Sequence, residues 1–267
     1  MIDSSRMSFL GANGLTKISQ AQIAVLGAGG GGSHIVQQLA HIGVGEIAVI
    51  DHDMLDSSNV NRVVGSTYTD VGRAKAAILA KRFEGYGGTV RPIISRGEDP
   101  AALATLQRAD LVIAAVDGFR ARDTFERICR QALVPYIDIG LRIVTDDNGT
   151  TTAIGGQIVV SQVGGPCLRC AGVLTDALLA ADRVEYAVAG PEQQVVSMNG
   201  ILASQAVTAA IFLISGFAPG YEMPTHLVYD GLAHEVRRNR FLPPSCAHHP
   251  ISNAGWAAVL PPKVVIR

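Results

Sequence analysis

The sequence predicts an α/β fold whose sheet is parallel through residues 1–150 and is continued by antiparallel strands through residues 151–267. Three observations predict it. Apolar runs at 22–26, 46–50 and 110–116 are short and continuous rather than alternating, the pattern of strands buried on both faces of a parallel sheet. Between them stand segments with apolar residues at helical spacing, such as Ile35, Val36, Leu39 and Ile42, which supply the crossovers that parallel strands need. After residue 150 the texture changes, and the β-branched stretch 151–160 has antiparallel character. At 267 residues the chain is long for one core but within range, so a single domain is expected.

The first strand, Gln22-Ile23-Ala24-Val25-Leu26, runs into Gly27-Ala28-Gly29-Gly30-Gly31-Gly32-Ser33, and a helix continues from 33 to 42. Gly27, Gly29, Gly30 and Gly32 in a strand-to-helix turn let the backbone bend tightly and approach a phosphate, with the positive end of the helix aimed at it. The second strand, 46–50, ends in Asp51, where an acidic residue takes a ribose hydroxyl in Rossmann-like sheets. These features alone point to a nucleotide, and a nicotinamide dinucleotide would satisfy them. Residues 53–75 ask for more. Asp53, Asn59 and Arg62 come in the run Asp51-His52-Asp53-Met54-Leu55-Asp56-Ser57-Ser58-Asn59-Val60-Asn61-Arg62, and Val71-Gly72-Arg73-Ala74-Lys75 opens the next helix. Arg62 and Lys75 are charges that neutralise a polyphosphate, and a dinucleotide site gives them no task.

A third strand at 89–95, a helix at 100–107 and the fourth strand at 110–116 complete this half together with a fifth strand at 135–140. The fourth strand ends in Asp117-Gly118, and ligands of open α/β sheets collect at such carboxyl ends. Asp117 is equally placed to cap the helix 119–133. Cys129 lies on that helix beside Ile128 and reads as a packed small hydrophobe.

In the second half, Cys167-Leu168-Arg169-Cys170 follows a Gly-Gly-Pro turn and Cys246-Ala247-His248-His249 follows a Pro-Pro turn. Two knuckles, each with ligands three residues apart, suit a tetrahedral Zn²⁺ held by Cys167, Cys170, Cys246 and His249, with His248 as the alternative fourth ligand. No thioredoxin-like frame surrounds the Cys-x-x-Cys, which disfavours a redox pair. The apolar helix 197–215 carries Ala203, Ala206, Ala209 and Ala210, small residues that suit either a core helix or a dimer face. Strands at 226–229 and 233–241 are expected to join at Asp230-Gly231, with Arg237, Arg238 and Arg240 on a solvated edge. The tail 251–267 receives no assignment.

Composition sets limits. With 22 basic and 23 acidic residues and a net charge of -1, the chain lacks the basic excess of a nucleic-acid scaffold. The first six residues do not have the order of a signal peptide, and the apolar run 201–214 is interrupted and short for a membrane span. A soluble, cytoplasmic protein is expected, without nucleic-acid or membrane partners.

Taken together, Gly-x-Gly-Gly-x-Gly, Asp-x-Asp, Ser-Asn-x-x-Arg and Gly-x-x-Lys resemble the ThiF/MoeB/HesA family, whose relatives include the adenylation domains of ubiquitin-activating E1 enzymes, over about residues 5–250. The resemblance implies an adenylyltransferase that uses ATP and Mg²⁺ to activate the C-terminal carboxylate of a ubiquitin-like or sulfur-carrier protein ending in Gly-Gly. It implies that residues 1–150 bind ATP, that Asp117 helps to hold the Mg²⁺, and that residues 151–267 present the carrier and hold the Zn²⁺. It also implies a homodimer in which Arg6 reaches the partner subunit's ATP site, a role that stands open against that of an exposed surface arginine. Residues 175–190 correspond to a crossover loop that houses a thioester cysteine in some members, and no cysteine is present there. Other outcomes remain open: a short peptide or a modified tRNA base as the adenylated substrate, a nicotinamide-dependent oxidoreductase, and a non-catalytic scaffold.

Overall fold

The chain enters through a 3-10 turn, Ser5–Leu10, and helix α1, Gly11–Gln20. In the computed structural model, which describes residues 3–185, 193–243 and 245–249, strands and helices then alternate. They are β1 (Gln22–Leu26), α2 (Gly30–Ile42), β2 (Glu46–Ile50), α3 (Lys75–Arg82), β3 (Thr89–Ile93), α4 (Pro100–Arg108), β4 (Leu111–Ala114), α5 (Phe119–Gln131) and β5 (Tyr136–Thr145). β6 (Thr151–Ser161), α6 (Asp176–Glu185), α7 (Val196–Ser215), β7 (His226–Asp230) and β8 (Glu235–Arg238) come next. One sheet holds all eight strands in the order β3-β2-β1-β4-β5-β6-β7-β8. Pairing is parallel from β3 across to β5 and antiparallel from β5 to β8, so the switch falls where the sequence texture changes.

Continuous apolar strands arise because both faces are covered. Ile23, Val25, Ile47 and Ile113 enter a core shared with α2, α3 and α7, while Leu26, Ile50 and Val112 enter a second core under α4 and α5. Each large aliphatic side chain so buried contributes about 1.5–3 kcal/mol. Helix α7 lies against α2, β5 and β6, and Ala203, Ala206 and Ala210 are fully buried there. The small-residue stripe is therefore a core contact within the chain. By length and composition α7 is apolar enough to cross a membrane, and it is longer than the run 201–214 read from the sequence.

Several boundaries differ from expectation, each for a local reason. Helix α2 starts at Gly30, so the glycines form its first turn instead of preceding it. Strand β5 continues past 140 to Thr145 because its second half zips to β6, with Asp146 Oδ1 accepting the N–H groups of Asn148 and Thr150 at the hairpin. The turn expected at Asp230-Gly231 is a longer loop to Glu235, held by Asp230 Oδ1 accepting from Leu232 N and Ala233 N. The first part of the expected crossover loop is helix α6. Its remainder and the tail 251–267 lie outside the described residues.

Candidate active site and metal centre

The strand order reverses between β1 and β4, because β1 continues to β2 on one side and β4 to β5 on the other. A crevice opens at the carboxyl ends of such a pair. The glycine turn sits there. Gly27 has a φ of +88°, and a Cβ on it would lie 2.5 Å from the Ala115 carbonyl oxygen in the loop after β4. Only glycine lets these two loops touch. A Cβ on Gly32 would collide with the Gly27 carbonyl, so the first turn of α2 lies folded against the turn that precedes it. Gly29 caps α2 with open space around its Cβ direction, which leaves the positive helix end facing the crevice.

Asp51 clasps this turn. Its Oδ2 accepts the Ala28 N–H at 2.6 Å and its Oδ1 accepts the Asp53 N–H at 2.7 Å. The expected ribose acceptor is thus also a backbone tie, with a second lone pair left on each oxygen. Beyond it, residues 53–55 pair with 72–75: Leu55 N donates to Arg73 O at 2.8 Å and Lys75 N to Asp53 O at 3.0 Å. That short ladder brings Lys75 Nζ to 2.9 Å from Asp53 Oδ2. Lys75 is only 9% exposed, and an ammonium so removed from water requires an anion. Arg62 comes after the 3-10 turn Ser57–Asn59, where its Nη1 donates to Ser58 O at 2.7 Å and Asn59 Nδ2 donates to Ser58 Oγ at 3.3 Å.

Asp117 lies three residues past the end of β4. Solvent reaches it, yet the protein crowds it, and desolvation pushes its carboxyl pKa up; Lys75, Arg62 and Arg122 oppose that shift and Asp53 adds to it. The fold therefore gathers Arg62, Lys75, Asp53 and Asp117, as the sequence motifs anticipated. Asp117 and Asp53 offer hard carboxylate oxygens of the kind Mg²⁺ takes. Helix capping falls elsewhere: Asp182 Oδ2 accepts the Arg120 N–H at 2.9 Å in the first turn of α5, so Asp182 does what Asp117 was also placed to do. Arg6 is exposed on the 3-10 turn.

Arg122 is a site residue that the sequence motifs do not mark. It is 4% exposed and pairs through two nitrogens with Asp138, which also accepts from Tyr136 Oη at 3.3 Å. The available signal was Asp138 itself, an acidic residue inside the apolar run Tyr136-Ile137-Asp138-Ile139 that demands a cation.

On the flank of α5, Cys167, Cys170, Cys246 and His248 place their ligand atoms within 4.8 Å of one another. His248 Nδ1 is 3.5 Å from the Sγ atoms of both Cys167 and Cys170. The Cys170 N–H reaches Cys167 Sγ at 3.4 Å, and the N–H groups of His248 and His249 point to Cys246, the amide-to-sulfur pattern that thiolates accept. Three cysteines and a histidine in this cluster fit Zn²⁺. Of the two candidate fourth ligands, His248 stands with the three sulfurs, while His249 Nε2 lies 3.8 Å from Glu126 Oε2 and within 4.8 Å of Cys167 Sγ. Adjacent side chains leave the chain in different directions, so His248 joins all three cysteines and His249 approaches Cys167 alongside Glu126. Cys129 is fully buried, and burial pushes its thiol pKa up, as a packed cysteine requires.

Residues 3–248 match the ThiF family. The chain belongs to that family. It is 30% identical over 166 residues to the SAMP-activating enzyme E1 of Haloferax volcanii, covering 61% of this chain and 58% of that protein. To the sulfur carrier protein adenylyltransferase of Thermus thermophilus it is 36% identical over 117 residues, 42% of each. To the adenylyltransferase and sulfurtransferase MOCS3 of Xenopus laevis it is 26% identical over 231 residues, 85% of this chain and 48% of that protein. The chain thus spans about half the length of these relatives. Among solved structures, that of E. coli MccB with MccA-N7isoASN superposes with a TM-score of 0.73 at 21% identity, covering 91% of this chain and 73% of the other. That likeness shows a common ThiF-type fold.

Proposed function

We propose that the chain is an ATP-dependent adenylyltransferase that activates the C-terminal carboxylate of a small ubiquitin-like or sulfur-carrier protein. The observation that carries this reading is the gathering of Arg62, Lys75, Arg122 and Asp117 beside the glycine end of α2. A polyphosphate laid across that crevice meets a helix N-terminus and fixed cations. Family membership and relatives named for adenylyl transfer and carrier activation support it.

In the reaction, a carboxylate oxygen of the carrier forms a bond to the α-phosphorus of ATP. The bond from that phosphorus to the oxygen bridging the β-phosphorus breaks, and pyrophosphate leaves with the electron pair. An acyl-adenylate remains. No side chain enters the bonding, so the protein's part is to hold two reactants in line and to meet the charge that moves onto the leaving phosphates. Arg62 and Lys75 meet that charge, and Asp53 holds Lys75 in place. Asp51 fixes the glycine turn through Ala28, which keeps the α2 amides directed at the phosphates. Mg²⁺, when bound at Asp117 and Asp53, supplies further neutralisation of the polyphosphate. Zn²⁺, when bound, joins the knuckle at 167–170 to the one at 246–248 and has a structural task. In a homodimer, the exposed Arg6 reaches the partner subunit's ATP site. None of the four cysteines is an accessible free nucleophile under this reading, since three serve the metal and Cys129 is buried. An external thiol, amine or sulfur donor therefore consumes the adenylate.

Exchange of labelled pyrophosphate into ATP tests the reading, run in parallel with carriers ending in Gly-Gly, with short peptides and with tRNA. Exchange that depends on the carrier is the expected result. Exchange with peptide or tRNA alone would move the substrate to that class, and nicotinamide binding without ATP binding would contradict the whole assignment.

A further inference from the structure

Helix α5 presents Asp123, Glu126 and Arg130 along one face, at i, i+3 and i+7, to the loop that carries Cys167 and Cys170. Asp123 Oδ1 accepts from Arg169 Nε at 3.3 Å, Glu126 Oε1 accepts from Leu168 N at 2.9 Å, and Arg130 donates to Ser161 Oγ at 2.8 Å and to Gly165 O at 3.2 Å. Glu126 stands at the centre of this stripe and is 0% exposed. A carboxylate so far from water is costly unless each oxygen has a partner. Oε1 has the Leu168 N–H. Oε2 has no hydrogen-bond partner, and the atom facing it, His249 Nε2, is also buried without one. Donor and acceptor face each other at 3.8 Å, one on α5 and the other on the second knuckle, and both lie within ligand reach of Cys167 Sγ.

We propose that Glu126 is the positioning residue of the metal centre. It fixes Leu168 between the two cysteines of the first knuckle through one oxygen. Through the other it faces His249 Nε2 at 3.8 Å and would accept that N–H with Zn²⁺ bound. Both knuckles then hang from α5, the helix whose amino end adjoins Asp117, and the metal centre is braced against the crevice that holds the nucleotide. A carboxylate that anchors the backbone beside metal ligands does the work of an outer coordination sphere, which sets how firmly the ligands are presented. This role of Glu126 rests on Cys167, Cys170, Cys246 and His248 being zinc ligands, and the experiment below separates the two.

The whole chain, purified with its metal, is titrated with a chromophoric zinc chelator, and the visible spectrum of the Co²⁺-substituted protein is recorded. Wild type should hold one metal per chain, lost in Cys246→Ser. Glu126→Gln has the same shape and keeps an oxygen for the Leu168 N–H, but replaces the acceptor that faces His249. Its zinc affinity should fall about tenfold or more, with displaced Co²⁺ bands. His249→Ala, on a side chain that is 21% exposed and so safe for the core, should show a loss of similar size. The double variant should fall no further than either, because both changes remove one interaction. Zinc affinities within about twofold of wild type in both single variants, or losses that simply add, would overturn the proposal. A wild type that binds no metal would overturn the zinc reading and this inference together.

Discussion

Lys75 carries a charge that the fold has largely withdrawn from water, and its ion-pair partner, Asp53, is half open to solvent. Lys75→Ala thus removes little that holds the fold together and one donor to the phosphates, as Arg62→Ala does. Each should lower pyrophosphate exchange by on the order of a hundredfold, the usual effect of losing one preorganised transition-state donor. A wild-type rate in either variant would remove that residue from the site. Arg122 behaves differently, since its partner Asp138 is 0% exposed. Arg122→Ala leaves a buried carboxylate unpaired and should cost about 3–5 kcal/mol in urea unfolding, whereas Arg122→Met with Asp138→Leu should recover most of that. At the metal centre, His248→Ala should lose the zinc that His249→Ala retains with weakened affinity, as read by metal content after gel filtration. The residues proposed to face the phosphates were legible because motif spacing places them in a fixed order along the chain. Arg122 and Asp182 were not, because their partners Asp138 and Arg120 are set by packing between elements distant in sequence.

At the scale of elements, α2 and α5 do most to place the candidate site: the glycine turn leads into α2, and α5 follows Asp117 with its first turn capped by Asp182. The glycine turn announced α2 in the sequence, although its first turn proved to be the glycines themselves. The long β5–β6 hairpin and α6 were not legible, since the extent of a ladder depends on the strand it meets and α6 falls where a loop was expected. Strand β7 yields a prediction about pH. His226 is 4% exposed there, its Nδ1 accepts from Asn239 Nδ2 at 3.0 Å, and burial holds its pKa below the ordinary 6.5. Below pH 6.5 the unfolded chain takes up a proton that the folded chain resists, so this contribution is complete above 6.5 and is lost as pH falls towards the folded value. His34, lowered by burial too, acts with the same sign. Thermal melts from about pH 8 down to about pH 5.5 should show a falling midpoint, and His226→Gln should flatten part of that fall. An identical pH dependence in the variant would mean that His226 is not the titrating group.

The whole molecule is a sheet whose order reverses between β1 and β4, and that reversal brings the turn after one strand against the loop after the other. Its parallel half was readable because two-sided burial leaves continuous apolar runs, and its antiparallel half because composition shifts at residue 150. What the sequence could not supply was where His248 and His249 stand relative to the sulfurs and to Glu126, which depends on how the chain's second knuckle meets α5. The activity proposed for the crevice is transfer of an adenylyl group to a carrier's carboxylate, with no later step on the protein itself. Intact-mass spectrometry of a Gly-Gly carrier incubated with the protein, ATP and Mg²⁺ tests it most directly. The predicted result is a carrier heavier by one adenylyl group, absent with Lys75→Ala, and no carrier joined to the protein. An unmodified carrier while ATP is bound and consumed, or a reductant-sensitive conjugate that disappears with Cys129→Ala, would contradict it.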